Sequence, residues 1–113
     1  MTFHGVDMGK QMKHMRDLAP EANRAFLDLD AKAFADGALP KKTKELMALA
    51  IAQITQCPWC IDAHSKRAVK AGATDEQIGE TTFVSMAMAA GAAWSHGGLA
   101  LQCTENHRAR EAG

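Results

Sequence analysis

Apolar residues recur every three or four positions along most of the chain, and no segment alternates apolar and polar residues as a strand would. This periodicity predicts an all-α fold of about six helices, packed as a bundle. An early helix is expected from Pro20, a residue suited to the first helical position, until Gly37 and Pro40 interrupt the pattern. Its apolar positions are Ala22, Ala25, Phe26, Leu29, Ala33 and Phe34.

The segment from Lys41 to about Thr55 predicts the next helix. Its apolar residues cover too much of the helix circumference for a helix that lies on a protein surface. We therefore expect this helix at the centre of the core. The residues concerned are Leu46, Met47, Leu49, Ala50, Ile51 and Ile54.

Capping residues mark the starts of two further helices. Pro58 suits a first helical position, which makes Cys57 the N-cap, and Gly72 is the expected C-terminal stop of that helix. Thr74 and Gln77 have the spacing of a capping box, so another helix is predicted to begin there.

Small residues dominate the last third of the chain. The stretch from Met86 to Ala93 is mostly Ala and Gly, which would let another backbone approach closely. We expect Gly97-Gly98 to interrupt the helix before a last one that ends toward Asn106.

Length and composition indicate one domain, residues 1–113, with segments 1–19 and 103–113 at its periphery. Apolar residues make up 47% and charged residues 23% of the chain, as is typical of a globular protein. Thirteen basic and thirteen acidic side chains cancel, so no net field attracts nucleic acid. No nucleic-acid partner is predicted.

The expected compartment is the cytoplasm, because the first residues lack the basic cluster and apolar stretch of a secretory signal. The segment from Thr81 to Leu101 has no charged residue and is long enough to cross a bilayer. Gly, Ala and hydroxyl residues dilute it, however, so no membrane association is predicted.

The three cysteines argue against a disulfide scaffold, because the count is odd and two of them form a C-x-x-C motif. On a helix that starts at Cys57, the side chains of Cys57, Cys60 and His64 fall within an arc of about 60°. Thiols three residues apart in a first turn can reach disulfide distance, and the free N–H groups there stabilise a thiolate. His64, one turn after Cys60, can hydrogen-bond the thiol or take its proton. The motif therefore favours dithiol redox chemistry.

Other interpretations of the cysteines are possible. A C-x-x-C alone is compatible with a metal half-site or with two buried small residues. Cys103 and His107 repeat the spacing of Cys60 and His64, so zinc is a further alternative. We favour the redox interpretation, because the second pair lies past two predicted helices in a polar tail, and we predict no metal and no cofactor.

Glu45 has two interpretations as well. Its helix face continues along Ala48, Leu49 and Ala52 into the expected core, which is compatible with a functional carboxylate. The alternative is an ordinary charge on a helix surface, because its neighbours are Lys41, Lys42 and Lys44.

Taken together, Glu45, Cys57, Cys60 and His64 have a spacing that resembles the signature of the AhpD-like alkylhydroperoxidases, within the carboxymuconolactone decarboxylase superfamily. The resemblance extends from about Pro20 to Leu101. Some members carry a histidine directly before the second cysteine, where this chain has Trp59.

The resemblance implies a helical fold that assembles into trimers or hexamers and reduces hydroperoxides or disulfides. It implies that Cys60 attacks the peroxide, that Cys57 resolves the product, and that Glu45 and His64 relay protons. The implied partners are a hydroperoxide substrate and an external dithiol reductant.

Two alternative functions remain. The same disulfide could act as the switch of a non-catalytic oligomeric binding or sensor protein. A carboxymuconolactone decarboxylase-like lyase is the lesser alternative, because the lactone decarboxylases of the superfamily generally lack this cysteine pair.

Overall fold

The computed structural model describes residues 2–113 and confirms the all-α prediction. Within these residues there is no strand, and Phe3 and Val6 form only an isolated bridge. The helices are α1 (Met8–Leu18), α2 (Pro20–Phe34), α3 (Lys41–Thr55), α4 (Pro58–Lys70) and α5 (Asp75–Ala112).

The described residues form five helices, close to the predicted number of about six, and α5 continues through Gly97-Gly98, where an interruption was expected. A helix that ends at a glycine usually places it in the left-handed region. Neither Gly97 nor Gly98 has a positive φ. An interior helical glycine costs only about 1 kcal/mol relative to alanine, so it weakens a helix without ending it.

Helix α3 lies at the centre of the fold, as expected, and packs against both α4 and α5. The buried apolar side chains are those of Leu49 and Ala52 on α3 and Ala68 on α4. Three large apolar side chains of α3, those of Met47, Ile51 and Ile54, are exposed in the single chain.

Two buried hydroxyl groups set the register between α3 and α5. Ser85 Oγ donates to the carbonyl of Ala50 over 2.8 Å. Gln53 Nε2 donates to Thr81 Oγ1 over 2.9 Å. Since buried polar groups need partners, these bonds favour one alignment of the two helices.

The connection between α3 and α4 delivers the C-x-x-C motif. Gln56 adopts a left-handed conformation with φ of 57°, and the Cys57 N–H donates to the Ala52 carbonyl over 3.2 Å. These two features terminate α3 at one residue, Gln56. Cys57 is then the N-cap of α4, as predicted, and its Sγ accepts the backbone N–H of Cys60 over 3.3 Å.

The expected stop after α4 and the expected start of α5 are also confirmed. Gly72 has φ of 88°, its N–H donates to Val69, and the Ala73 N–H donates to Ala68, which together satisfy the last carbonyls of α4. Thr74 and Gln77 form the predicted capping box at the start of α5.

Helices α1 and α2 pack against each other and form an arm. This arm makes few contacts with α3. None of the apolar positions predicted along α2 is buried. Residues 3–6 precede α1 as a tight turn, closed by a bond of 3.0 Å from the Val6 N–H to the Phe3 carbonyl.

The single chain is extended, with a radius of gyration of 20.0 Å. A compact domain of about 100 residues has a value near 13 Å. No helix within residues 2–113 is both long enough and apolar enough to span a bilayer.

Candidate thiol-disulfide site

Cys57 and Cys60 are joined by a disulfide in the first turn of α4, with their Cα atoms 5.3 Å apart. That separation lies in the range found for disulfides. The two residues are half-buried. The predicted pairing is therefore present, at a helix N-terminus whose free N–H groups stabilise a thiolate when the bond is reduced.

Glu45 and His64 meet across the α3–α4 interface. Glu45 Oε2 lies 2.6 Å from His64 Nδ1, the Glu45 side chain is 0% exposed, and that of His64 is 14% exposed. A separation this short is typical of a charge-assisted hydrogen bond. When Glu45 is ionised its carboxylate can only accept, so Nδ1–H is the donor in this bond and Nε2 is the nitrogen left for other chemistry.

The second oxygen of Glu45 has a different environment. Oε1 is buried and makes no hydrogen bond within residues 2–113, while Lys41 Nζ lies 3.9 Å away. Lys41 is one helical turn before Glu45 on α3, and its side chain is partly exposed. The carboxylate therefore faces a histidine on one side and a cation on the other.

The end of α2 covers His64. The Phe34 ring lies against the imidazole, with centroids 4.8 Å apart and planes inclined by 31°. The Arg67 guanidinium carbon lies 6.0 Å from the centroid of the same Phe34 ring. Arg67 Nη1 also lies 3.5 Å from Asp30 Oδ2, which ties α4 to α2.

Trp59, between the two cysteines, is covered by the N-terminal turn. Its ring centroid lies 6.1 Å from that of Phe3, edge to face, and 5.8 Å from that of His4. Trp59 Nε1 is buried and has no hydrogen-bond partner within residues 2–113. Trp59 thus packs against the N-terminal turn and also lies inside the C-x-x-C motif.

The zinc alternative finds no support in the geometry. No group of three or more His, Cys, Asp or Glu side chains in residues 2–113 is arranged to hold a metal ion. Cys103 and His107 are exposed near the end of α5. The exposed His96 is placed against its own helix, with Nδ1 2.8 Å from the Ala92 carbonyl.

The structure thus brings together two pairs taken from the sequence, Cys57 with Cys60 and Glu45 with His64. Sequence reasoning missed the contact of Phe34 with His64, because Phe34 reads as one more apolar position of α2. It also gave no role to Lys41, although a Lys four residues before a Glu is a recognisable ion-pair spacing.

Known proteins of one family resemble this chain. Residues 20–102 match the model of the carboxymuconolactone decarboxylase family. The chain is 56% identical over 77 residues to uncharacterized protein 4 in the cox locus of Paracoccus denitrificans, covering 68% of this chain and 69% of the relative.

A solved structure is also similar, that of an apo carboxymuconolactone decarboxylase family protein from Legionella pneumophila. It has a TM-score of 0.68 and 44% identity, and the match covers 73% of each chain. An alkyl hydroperoxide reductase of Mycobacterium tuberculosis is 46% identical over 39 residues, which are 34% of this chain and 11% of that protein.

Proposed function

The chain belongs to the carboxymuconolactone decarboxylase family, and we propose that it is a thiol-dependent peroxidase or disulfide oxidoreductase that reduces hydroperoxides. The observation that carries this proposal is the placement of two chemical units on one helix. The Cys57–Cys60 pair occupies the first turn of α4, and His64, bonded to the buried Glu45, follows one turn after Cys60.

The proposed cycle starts from the reduced protein. The Cys60 thiolate attacks the terminal oxygen of the hydroperoxide and the O–O bond breaks, which leaves a sulfenic acid on Cys60. His64 Nε2 first takes the proton of the Cys60 thiol and then gives it to the leaving alkoxide, which departs as an alcohol. Glu45 holds the imidazole by Nδ1 and stabilises its charged form.

The second half of the cycle restores the thiols. The Cys57 thiolate attacks the sulfenic sulfur, hydroxide leaves and is protonated to water, and the disulfide forms. An external dithiol then reduces this bond by thiol-disulfide exchange and is itself oxidised to a disulfide. That reductant, and a cytoplasmic location in which thiols are kept reduced, are part of the proposal.

The assignment of Cys60 as the attacking thiol rests on its distance along the helix from the proton donor. Residues four apart share a helix face as direct neighbours, as Cys60 and His64 are, whereas Cys57 is seven residues from His64. The hydrogen bond from the Cys60 N–H to Cys57 Sγ favours Cys57 as the more stable thiolate. A stable thiolate is suited to resolving the sulfenic acid, which is the role proposed for Cys57.

We also propose that the protein is a homo-oligomer, a trimer or hexamer as its resemblance implies. From Met86 to Ala112 every residue of α5 is exposed in the single chain. Six of its apolar or small residues alternate at spacings of three and four, the pattern of a helix-packing seam. They are Val84, Ala87, Gly91, Trp94, Gly98 and Leu101.

Hydroperoxide consumption by the reduced protein tests the proposed function. We expect stopped-flow oxidation to yield the Cys57–Cys60 disulfide, and steady turnover when an external dithiol is added. Cys60→Ser should abolish both, whereas Cys103→Ser, the matched control at an exposed cysteine, should leave them unchanged.

The alternatives give different results in the same assay. A protein that is oxidised once but does not turn over, with either hydrogen peroxide or an organic hydroperoxide, is a redox-switched binding or sensor protein. Decarboxylation of a lactone acid that survives Cys60→Ser would instead identify a lyase.

A further inference from the structure

Phe34, the last residue of α2, contacts both sides of the Glu45–His64 pair. Its ring lies against the His64 imidazole at 4.8 Å between centroids. Its backbone carbonyl accepts a hydrogen bond of 3.4 Å from Lys41 Nζ. Because the same Nζ lies 3.9 Å from Glu45 Oε1, Phe34 helps to place the cation beside the carboxylate.

The Phe34 ring is itself held by a second contact. The Arg67 guanidinium lies at cation–π distance, 6.0 Å from the ring centroid. Arg67 also pairs with Asp30, four residues before Phe34 on α2. The half-buried Phe34 ring therefore contacts α4 through both His64 and Arg67.

A single hydrogen bond at Nδ1 does not lock an imidazole ring. Rotation about the Cβ–Cγ bond has a broad profile, so the imidazole plane can tilt and Nδ1 can turn away from the carboxylate. A ring packed against one face opposes that tilt, because the imidazole would have to press into the Phe34 ring or lose contact with it.

We propose that Phe34 is a positioning residue for His64. It keeps Nδ1 directed at Glu45, so that Nε2 is the nitrogen that exchanges protons with the reacting groups. The kinetic consequence rests on the proposed peroxidase function, whereas the structural consequence does not.

Phe34→Leu tests the kinetic consequence, because leucine keeps apolar bulk but has no ring face. We expect hydroperoxide to oxidise the reduced variant about tenfold more slowly, since small misplacements of a catalytic group cost one to two orders of magnitude. Phe34→Tyr should restore the rate to within about twofold by keeping the ring. Phe26→Leu, the same change at an exposed position of α2, should leave the rate unchanged.

Nitrogen-detected NMR of the ¹⁵N-histidine-labelled protein tests the structural consequence. At about pH 8, where an ordinary histidine is neutral, wild-type His64 should show one tautomer, protonated on Nδ1. The chemical shifts of the His64 ring protons should be displaced by the ring current of Phe34. In Phe34→Leu we expect the displacement to vanish and both tautomers to appear, while Phe34→Tyr and Phe26→Leu keep the wild-type pattern.

The two tests separate failure of the inference from failure of the proposed function. If the wild-type protein does not consume hydroperoxide, the peroxidase proposal fails, and the NMR result alone decides the role of Phe34. A single Nδ1-protonated tautomer in Phe34→Leu would overturn that role. Should this variant not fold, the wild-type spectrum decides. Ordinary chemical shifts for the His64 ring protons would contradict the contact with Phe34 without any substitution.

Discussion

The α3–α4 hairpin and the second half of α5 contrast sharply within one chain. In the hairpin, Glu45 and Ala68 are buried and His64 is nearly so, and a left-handed Gln56 orients the C-x-x-C motif directly. In α5, no residue from Met86 to Ala112 is buried, and Trp94 is 84% exposed.

The difference separates a region that one chain organises from a region for which we propose a partner. The Glu45–His64 pair is complete within a single chain, because both of its residues lie on adjacent packed helices. From Met86 onward the apolar residues of α5 have nothing to pack against in the single chain, and helices in proteins gain most of their stability from tertiary packing. The predictions below test each half of this contrast, from the largest expected effect to the smallest.

Glu45→Gln tests whether the hairpin organises the chemistry. The amide can still accept the hydrogen bond from His64, but it lacks the charge that stabilises an imidazolium. We expect hydroperoxide oxidation of the reduced protein to slow about a hundredfold, the lower range for loss of acid–base catalysis. Glu105→Gln, the same change at an exposed position of α5, is the control. Equal rates for the two variants would remove Glu45 from the mechanism.

Trp94→Glu tests whether α5 needs a partner. A buried Trp at an interface typically contributes at least about 2 kcal/mol to association. We expect sedimentation equilibrium to show dissociation of the variant at concentrations where the wild type is assembled. Gln102→Glu adds the same charge to an exposed polar position of α5 and should leave the assembly intact. A wild-type protein that sediments as a monomer would contradict the proposed assembly.

Ser85→Ala tests the contact that joins the two regions. The substitution leaves the Ala50 carbonyl without its 2.8 Å donor, so the free energy of unfolding should fall by about 1 kcal/mol. Ser95→Ala removes an exposed hydroxyl that bonds only to its own helix, and should change stability by less than about 0.5 kcal/mol. Urea unfolding of both variants measures the difference, and similar losses would mean that the α3–α5 register does not depend on Ser85.

Two glycine substitutions refine the comparison within α5. Gly79→Ala should stabilise the protein by about 0.5–1 kcal/mol, because the backbone there is helical and an added Cβ meets no atom within 4 Å. Gly98→Ala has equally open surroundings in the single chain. It should nevertheless weaken association if α5 packs closely on another copy, since Gly98 lies on the proposed seam. Thermal unfolding at several protein concentrations distinguishes the two effects, and identical behaviour would argue against close packing at Gly98.

The elements predicted most accurately are those defined by neighbouring residues. The N-cap at Cys57, the stop at Gly72 and the capping box at Thr74 depend on hydrogen bonds between residues at most five apart. The break expected at Gly97-Gly98 was wrong because glycine permits a left-handed turn but does not require one.

Only part of the site could be predicted from neighbouring residues. The register of Cys57, Cys60 and His64 follows from helix geometry alone, and the resemblance to a known family singled out Glu45. Their roles in a reaction stay predictions. The contact of His64 with Phe34 joins residues 30 positions apart, and nothing in the local sequence distinguishes Phe34 from the other apolar residues of α2.

The sequence by itself therefore determined the helices, their caps and the cysteine motif, because these depend on short-range hydrogen bonds and on a fixed helical period. Only the tertiary structure decided that Glu45 is buried against His64, that Phe34 covers the imidazole, and that the apolar residues of α5 stay exposed. A helix with apolar residues on several faces can bury any of them. Which face is covered depends on the neighbouring helices, and for α5 the chain itself supplies none beyond Met86.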